Sequence, residues 1–399
     1  MMQKKKRFCK DCALPSNHHI NTWIDELTDR LIPNLSLPKK IDRFFDILIE
    51  NFFIHLKLVS LKDDFTRSDI QLRTTCFIDE AKKRGIKFKA ICGRFGYTCH
   101  MQAMVNGKII RFDNLPTADF KSKYNPRIID DKTLTKHHLK KRNFPIADGD
   151  TFWFWQKKKA LRFGTNQLGF PLVVKPRSGS VSRHVTTDIK SGEQLKRAID
   201  KAIIYSPTFI VEKFITNASV YRATVVDFDF VACVKQVPAN VVGDGISTVR
   251  ELIDKKNRDP QRGSPQQNEF TLNKITENEI TAKLLSEKKH DFSTIPKTDE
   301  VVYLQKDPFL KLGGNLIEVT PEVHSDNLRL FRDIAKFFDV RVVGIDFLAQ
   351  DISLSWKNQP CAIIELNNLP CIELHHFPSS GIPQNVGGAI VDLFFKYYA

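Results

Sequence analysis

The chain has 399 residues, 42% of them hydrophobic and 27% charged, which is enough for two or three domains with cores of their own and excludes wholesale disorder. Its net charge of +15 calls for an anionic partner such as ATP, an acidic peptide or nucleic acid, or else marks a lysine-rich solubilising surface. No apolar run approaches the roughly 18 residues of a membrane span, no apolar segment follows the basic start as in a secretory signal, and the eight scattered cysteines suit a reducing compartment, so a cytoplasmic protein is expected.

In chain order, residues 1–48 read as a basic, partly helical leader. It carries Cys9-Lys-Asp-Cys12 followed by His18 and His19. Two cysteines and two histidines supply a zinc ligand set, although the spacing is shorter than in zinc fingers; the alternative is a tail with incidental thiols. Residues 49–130 read as a small α/β domain. Phe53 to Val59 has strand length and apolar character, Thr74 to Arg84 has helical spacing ending at Gly85, and Ile86 to Ile91 alternates as a strand. Asn106-Gly107 lies between two strand-like runs and predicts a type I′ hairpin.

Residues 131–399 read as one further catalytic unit. A helix is predicted over Thr133 to Arg142, and a short buried strand over Pro171 to Pro176 that contains Lys175. A small-residue loop, Arg177 to Val185, follows. An amphipathic helix over Ser191 to Ile204 opens with a capping box formed by Ser191 and Gln194. Thr208 to Val211 is a strand, and Val220 to Val226 and Phe230 to Gln236 form a hairpin. Lys255 to Thr298 is polar and reads as exposed helix and mobile loop. Helices over Ser325 to Phe338 and Val386 to Tyr397 flank strands over Val342 to Leu348 and Ala362 to Asn367. The pattern is α+β with substantial antiparallel sheet.

The chemistry is concentrated in a few places. Glu365 and Asn367 are two apart in a strand and so share a face, with Ile364 and Leu366 expected in the core. Asp346 lies in the neighbouring apolar strand. Three hard oxygen donors on adjacent strands suit magnesium; the alternative is a solvated edge. Ser178, Gly179 and Ser180 follow Lys175 in a loop able to cradle phosphate through backbone N–H groups. Glu212-Lys213 ends a strand where a base could meet alternating donors and acceptors. Lys311-Leu-Gly-Gly-Asn315 is a second candidate phosphate loop.

In this order the motifs resemble the ATP-grasp superfamily, and within it the ATP-grasp module of cyanophycin synthetase. The specific likeness lies in Val241-Val-Gly-Asp-Gly245, Glu251-Leu-Ile253 and Asn257-Arg-Asp-Pro-Gln-Arg-Gly263, followed by Pro370, His375, Pro378, Gly381 and Pro383. It covers about residues 131–399 and does not extend to the Mur-ligase-like half of that enzyme, so polymerisation by this chain alone is not expected. The resemblance implies an ATP-grasp fold, with two α+β subdomains clamping ATP behind a small α/β N-terminal domain. It implies an ATP-dependent carboxylate–amine ligase that works through an acyl phosphate and releases ADP and phosphate, with two Mg2+ ions, or Mn2+ in their place. Its substrates would be an amino acid or short peptide with carboxylate and amine groups, and homo-oligomers are compatible with it.

The same resemblance assigns Lys136, Lys175, Ser178, Gly179, Ser180, Glu212 and Lys213 to ATP. Arg222, Lys235 and Asn315 fall to catalysis, Asp346, Glu365 and Asn367 to the metals, and His375 to the substrate side. Cys371 and Gln384 depart from the family's usual glycine and arginine, and the first phosphate loop is poorer in glycine. These departures bear on the substrate more than on ATP. The competing readings are a catalytically silent ATP-binding module, and a nucleic-acid binder using Trp153, Trp155 and the following lysines.

Overall fold

The computed structural model describes residues 9, 16–31, 39–118, 121–123, 125–179, 183–264, 266–267 and 269–398. Two helices, α1 (Ser16–Leu31) and α2 (Lys39–His55), come first, followed by strand β1 (Val59–Lys62). The expected strand at Phe53 to Val59 is therefore the last turn of α2 and the turn that follows it, with Val59 opening β1. Phe45, Leu48, Ile49, Phe52 and Phe53 recur every three to four residues, the helical period. The helix closes where Lys57 takes a left-handed conformation and Leu58 N–H bonds to the carbonyl of Phe53. The boundary drawn at residue 48 falls inside α2.

Next come α3 (Leu72–Lys82), β2 (Lys87–Gly93), β3 (Gly96–Val105) and β4 (Lys108–Asp113). Strands β1 to β4 form an antiparallel meander. Asn106 and Gly107 have φ of 49° and 75°, as a type I′ turn requires.

The middle of the chain contributes α4 (Pro126–Asp130), α5 (Lys132–Lys141), β5 (Gly149–Trp153), α6 (Lys157–Arg162), β6 (Leu172–Pro176), β7 (Thr186–Ile189), α7 (Gly192–Tyr205) and β8 (Thr208–Lys213). The four strands form an antiparallel sheet ordered β5-β8-β6-β7. Leu195, Ile199 and Ala202 of α7 pack with Phe152, Leu172, Val174, Phe209 and Val211 beneath it. Ser191 caps α7 by accepting from Gln194 N–H, as expected, while the Gln194 carboxamide accepts from Lys190 N–H one residue upstream.

The remaining elements are β9 (Ser219–Val226), β10 (Phe230–Val237), β11 (Asn240–Val242), α8 (Val249–Asn257), β12 (Arg262–Gly263), β13 (Leu272–Asn273), α9 (Glu279–Glu287), β14 (Val301–Tyr303), β15 (Asn315–Glu318), α10 (Ser325–Phe337), β16 (Val342–Ala349), β17 (Cys361–Asn367), α11 (Glu373–His376) and α12 (Val386–Tyr398). An antiparallel sheet ordered β15-β10-β9-β16-β17 is the centre of the molecule. One face of it packs Tyr221, Ala223, Val225, Ile345 and Phe347 against Phe331 and Ile334 of α10. On the other face Val226, Ala232 and Val342 join Ile390 and Phe394 of α12, Phe77 of α3 and Met101 of the N-terminal meander. The meander thus shares its core with the central sheet.

Between Lys255 and Thr298, α9 stands among turns and irregular segments, in keeping with the expected helix and loop. Ile275 and Leu285 of this stretch join Leu252, Ile253, Val302 and Leu304 in a small core, and Arg250 pairs with Glu277. Among the described residues no helix is long and apolar enough to cross a membrane.

Phe347 is fully buried under the central sheet. Phe347→Ala is expected to destabilise the fold by about 3–5 kcal/mol, read as a lower urea midpoint with an unchanged m-value.

Candidate functional site

Two charged groups of residues lie on the two larger C-terminal sheets. On the β5-β8-β6-β7 sheet, Glu212 of β8 sits opposite Gly149 of β5 and Val173 of β6. A side chain at position 149 would come within 2.7 Å of Glu212 Cγ and 2.4 Å of the Val211 carbonyl, so glycine leaves the carboxylate its room. Glu212 then accepts from Lys136 and from Lys175, one lysine on each oxygen, both at 2.9 Å. Burial pushes the Glu212 carboxyl up, but Lys175 and Lys136 outweigh it and hold it below the ordinary range. Burial lowers the Lys136 ammonium in turn, against the pull of Glu212. Two cations on one carboxylate leave an excess positive charge facing the loop at Ser178 and Gly179.

On the central sheet, register does the work. Arg222 of β9 lies opposite Asp346 of β16, which lies opposite Glu365 of β17. Directly opposed side chains share a face. Arg222 binds Asp346 through both Nε and Nη2, the latter at 2.8 Å from Oδ2. Burial raises the Asp346 carboxyl; Arg222 opposes the rise and Glu365 adds to it. Glu365 is also pushed up by burial, yet Lys132 and the hydrogen bond with Asp346 bring it below its usual value. The surroundings therefore push the two carboxyls apart, Asp346 up and Glu365 down. Asn367 lies two residues further along β17, opposite Gly344, and its Nδ2 is buried without a partner. Two opposed carboxylates, with the carboxamide oxygen of Asn367 two residues along the same strand face, make up a hard oxygen set of the kind that fits a divalent cation.

Helix α5 links the two groups. Lys132 and Lys136 are four apart and share a helix face. Lys136 reaches Glu212, while Lys132 reaches Glu365 at 3.2 Å and the Gly179 carbonyl at 2.7 Å. The helix is fixed by Asp131, which caps it by accepting from Thr133 and Leu134 N–H and is bound by Arg177 from the loop after β6. Lys132, Asp131 and Arg177 were not singled out from the sequence as site residues; the i,i+4 spacing of two lysines was the available signal for Lys132.

Other expected residues are placed differently. Lys213 donates to the carbonyls of Leu168, Gly169 and Phe170 at 3.3, 3.0 and 2.9 Å, so its ammonium shapes the turn before β6. The backbone N–H groups of Lys213 and Phe214 bond to the carbonyls of Asp148 and Pro171, which leaves neither for a base. Lys235 pairs in register with Tyr221 and Ile317 and so takes the face opposite Arg222. Asn315 accepts from Arg262, which also donates to the carbonyls of Asn273, Gly313 and Gly314. His375 is fully buried, bonded to Thr224 at 2.9 Å and to Glu318 at 3.2 Å, and burial lowers its pKa. Ser180 lies outside the described residues. Ile364, expected in the core, sits at a β-bulge where the register shifts between Asp346 and Phe347; Ile363 takes the core position instead. Trp153 and Trp155 stack on each other with centroids 4.6 Å apart.

A family model described as the D-ala D-ala ligase C-terminus matches residues 143–245. Cyanophycin synthetase of Trichormus variabilis is 30% identical over 340 residues, 84% of this chain and 36% of that protein. The glutathione biosynthesis bifunctional protein of Clostridium perfringens is 29% identical over 334 residues, 82% of this chain and 41% of that protein. Residues 131–399 cannot hold alignments of that length, so the likeness extends into the N-terminal region, beyond the motifs read from the sequence. The crystal structure of a bifunctional glutathione synthetase from Pasteurella multocida superposes with a TM-score of 0.64 at 24% identity, over 83% of this chain and 44% of that one. This chain spans roughly two fifths or less of the curated relatives named here. ATP-grasp ligases use ATP and Mg2+. By fold, by motif order and by these likenesses, the chain has the ATP-grasp fold and is similar to the ATP-grasp module of cyanophycin synthetase.

Proposed function

We propose that the protein is an ATP-dependent carboxylate–amine ligase that makes an amide or peptide bond through an acyl phosphate and releases ADP and phosphate. The observation that carries this is the line of Arg222, Asp346 and Glu365 across three strands, joined by Lys132 to the lysine-rich nucleotide side. The domain division follows the same reading, with the first boundary moved ahead of α2: a leader, a small domain that begins with α2 at Lys39, and the ATP-grasp unit over 131–399.

Lys136 and Lys175 would exchange Glu212 for the phosphates of ATP, with the Ser178-Gly179 backbone beside them. Asp346, Glu365 and Asn367 would hold Mg2+, two ions in this reading, which neutralises charge on the triphosphate. The substrate carboxylate attacks the γ-phosphorus, the bond to the β-γ bridging oxygen breaks, and ADP leaves. Arg222 lies where it can stabilise the transferring group and then the oxyanion formed when the amine attacks. Phosphate is the leaving group. No described cysteine or serine takes a covalent role in this scheme. The acid and amine would be an amino acid or short peptide, in line with what the relatives' names imply.

ADP and phosphate release from Mg-ATP, measured across amino acids and short peptides with mass spectrometry of the products, tests the reading. A paired requirement for acid and amine with a condensed product is expected; AMP and pyrophosphate would refute it. Glu365→Gln is expected to reduce turnover by at least about 100-fold, since losing even an outer-shell partner of a metal can cost that much, while the fold persists by circular dichroism. Divalent-ion binding should also tighten as pH rises out of the acid range, because burial raises the Asp346 carboxyl and a metal there competes with its proton. Calorimetric titrations at a series of acid pH values measure this, and an affinity that does not change with pH would contradict it.

A further inference from the structure

One cluster of ligand-type side chains lies outside this chemistry. Cys9, His19 and His184 each bring one ligand atom to a common point, all within 4.8 Å of one another. His19 and His184 are buried and Cys9 is half-buried. The residues come from distant parts of the chain: Cys9 from the leader, His19 from the first turn of α1, and His184 from the segment between the phosphate loop and β7. The Cys9-Lys-Asp-Cys12 reading paired Cys9 with Cys12, His18 and His19. The structure keeps Cys9 and His19, leaves His18 exposed, and supplies His184, which no spacing rule would have found. Cys12 lies outside the described residues.

We propose that Cys9, His19 and His184 form a zinc site that fastens the leader to the nucleotide-binding subdomain. Three features support it. The Cys9 Sγ to His184 Nε2 separation is 3.5 Å, close to the ligand–ligand edge of about 3.5 Å that Zn–S and Zn–N bond lengths give in a tetrahedron. His184 Nδ1 lies 2.9 Å from the Lys201 carbonyl. That bond sets the proton on Nδ1 and leaves Nε2 as the ligand atom facing Cys9, the usual outer-shell arrangement of a metal-binding histidine. One thiolate with two imidazoles is a borderline-soft set that suits zinc over magnesium or calcium. The three residues leave a fourth coordination position.

The surroundings give the site a purpose. His19 and His184 meet edge to face at 5.1 Å, and both pack on Tyr205, whose ring lies against Gly179 of the phosphate loop. Helix α1 is already seated there: Glu26 accepts from Ser206 at 2.5 Å, and Trp23 donates to the Ile203 carbonyl at 3.2 Å. A metal at this point would hold the far end of the phosphate loop against α1.

The test is metal content. The untagged full chain, purified after growth with added zinc, should carry about one zinc per chain by elemental mass spectrometry. Cys9→Ser and His184→Gln should each lose it while keeping the far-ultraviolet dichroism of the wild type. Cobalt exchanged into the wild type should show a thiolate-to-cobalt charge-transfer band that Cys9→Ser lacks. A wild-type chain free of zinc, or variants that retain the full metal content, would overturn the site. Neither result bears on ATP turnover, so the site and the ligase reading fail independently.

Discussion

Two carboxylates buried side by side are unstable without cations, and this constraint organises the catalytic half of the molecule. The antiparallel register of β9, β16 and β17 leaves Asp346 and Glu365 facing each other. Arg222 closes on one carboxylate from within the sheet and Lys132 on the other from α5. Removing one member of such a buried pair typically costs 3–5 kcal/mol, because the other charge is left uncompensated. The same contacts place α5 over the end of the sheet, and Asp131 at its N-terminus then fixes Arg177 and the phosphate loop.

The second charged group has a different balance. There two lysines share one carboxylate, and the excess charge is positive. On the central sheet Arg222 and Lys132 match the two carboxylates one for one. A metal-bound triphosphate would bring the anion that the lysines lack and a cation to take the place of Lys132, and on that ground the two half-sites, joined through Lys132 and Lys136, read as a single ATP site in the proposed function.

Much of this was legible in the sequence because it depends on local rules. The Asn106-Gly107 hairpin, the capped helix at Ser191 and the same-face pair Glu365 and Asn367 needed only spacing and turn chemistry, while the motif order from Lys136 to Asn367 rests on the resemblance to the ATP-grasp superfamily. What failed was non-local or ambiguous. The apolar run at Phe53 satisfies both strand and helix patterns, and continuity with residues 39–52 decides it. The stretch after Lys255 disperses its core residues among charges, so no window shows the cluster that Leu252, Ile275 and Val302 make. Lys235 was one residue out of phase with Arg222 across the hairpin, and the bulge beside Ile364 shifted the core phase by one. Lys132, Arg262 and His184 act through partners far away in sequence, which spacing alone does not reveal.

The central claim is that the opposed strands β16 and β17 are the metal-binding face of an ATP site. A crystal structure of the protein with ADP, Mg2+ and a phosphoryl-mimicking fluoride tests it most directly. The account predicts magnesium at about 2.0–2.1 Å from oxygens of Asp346, Glu365 and Asn367, Lys132 released from Glu365, and Lys136 and Lys175 turned from Glu212 to the phosphates. Nucleotide bound elsewhere, or magnesium with no ligand from β16 or β17, would contradict it.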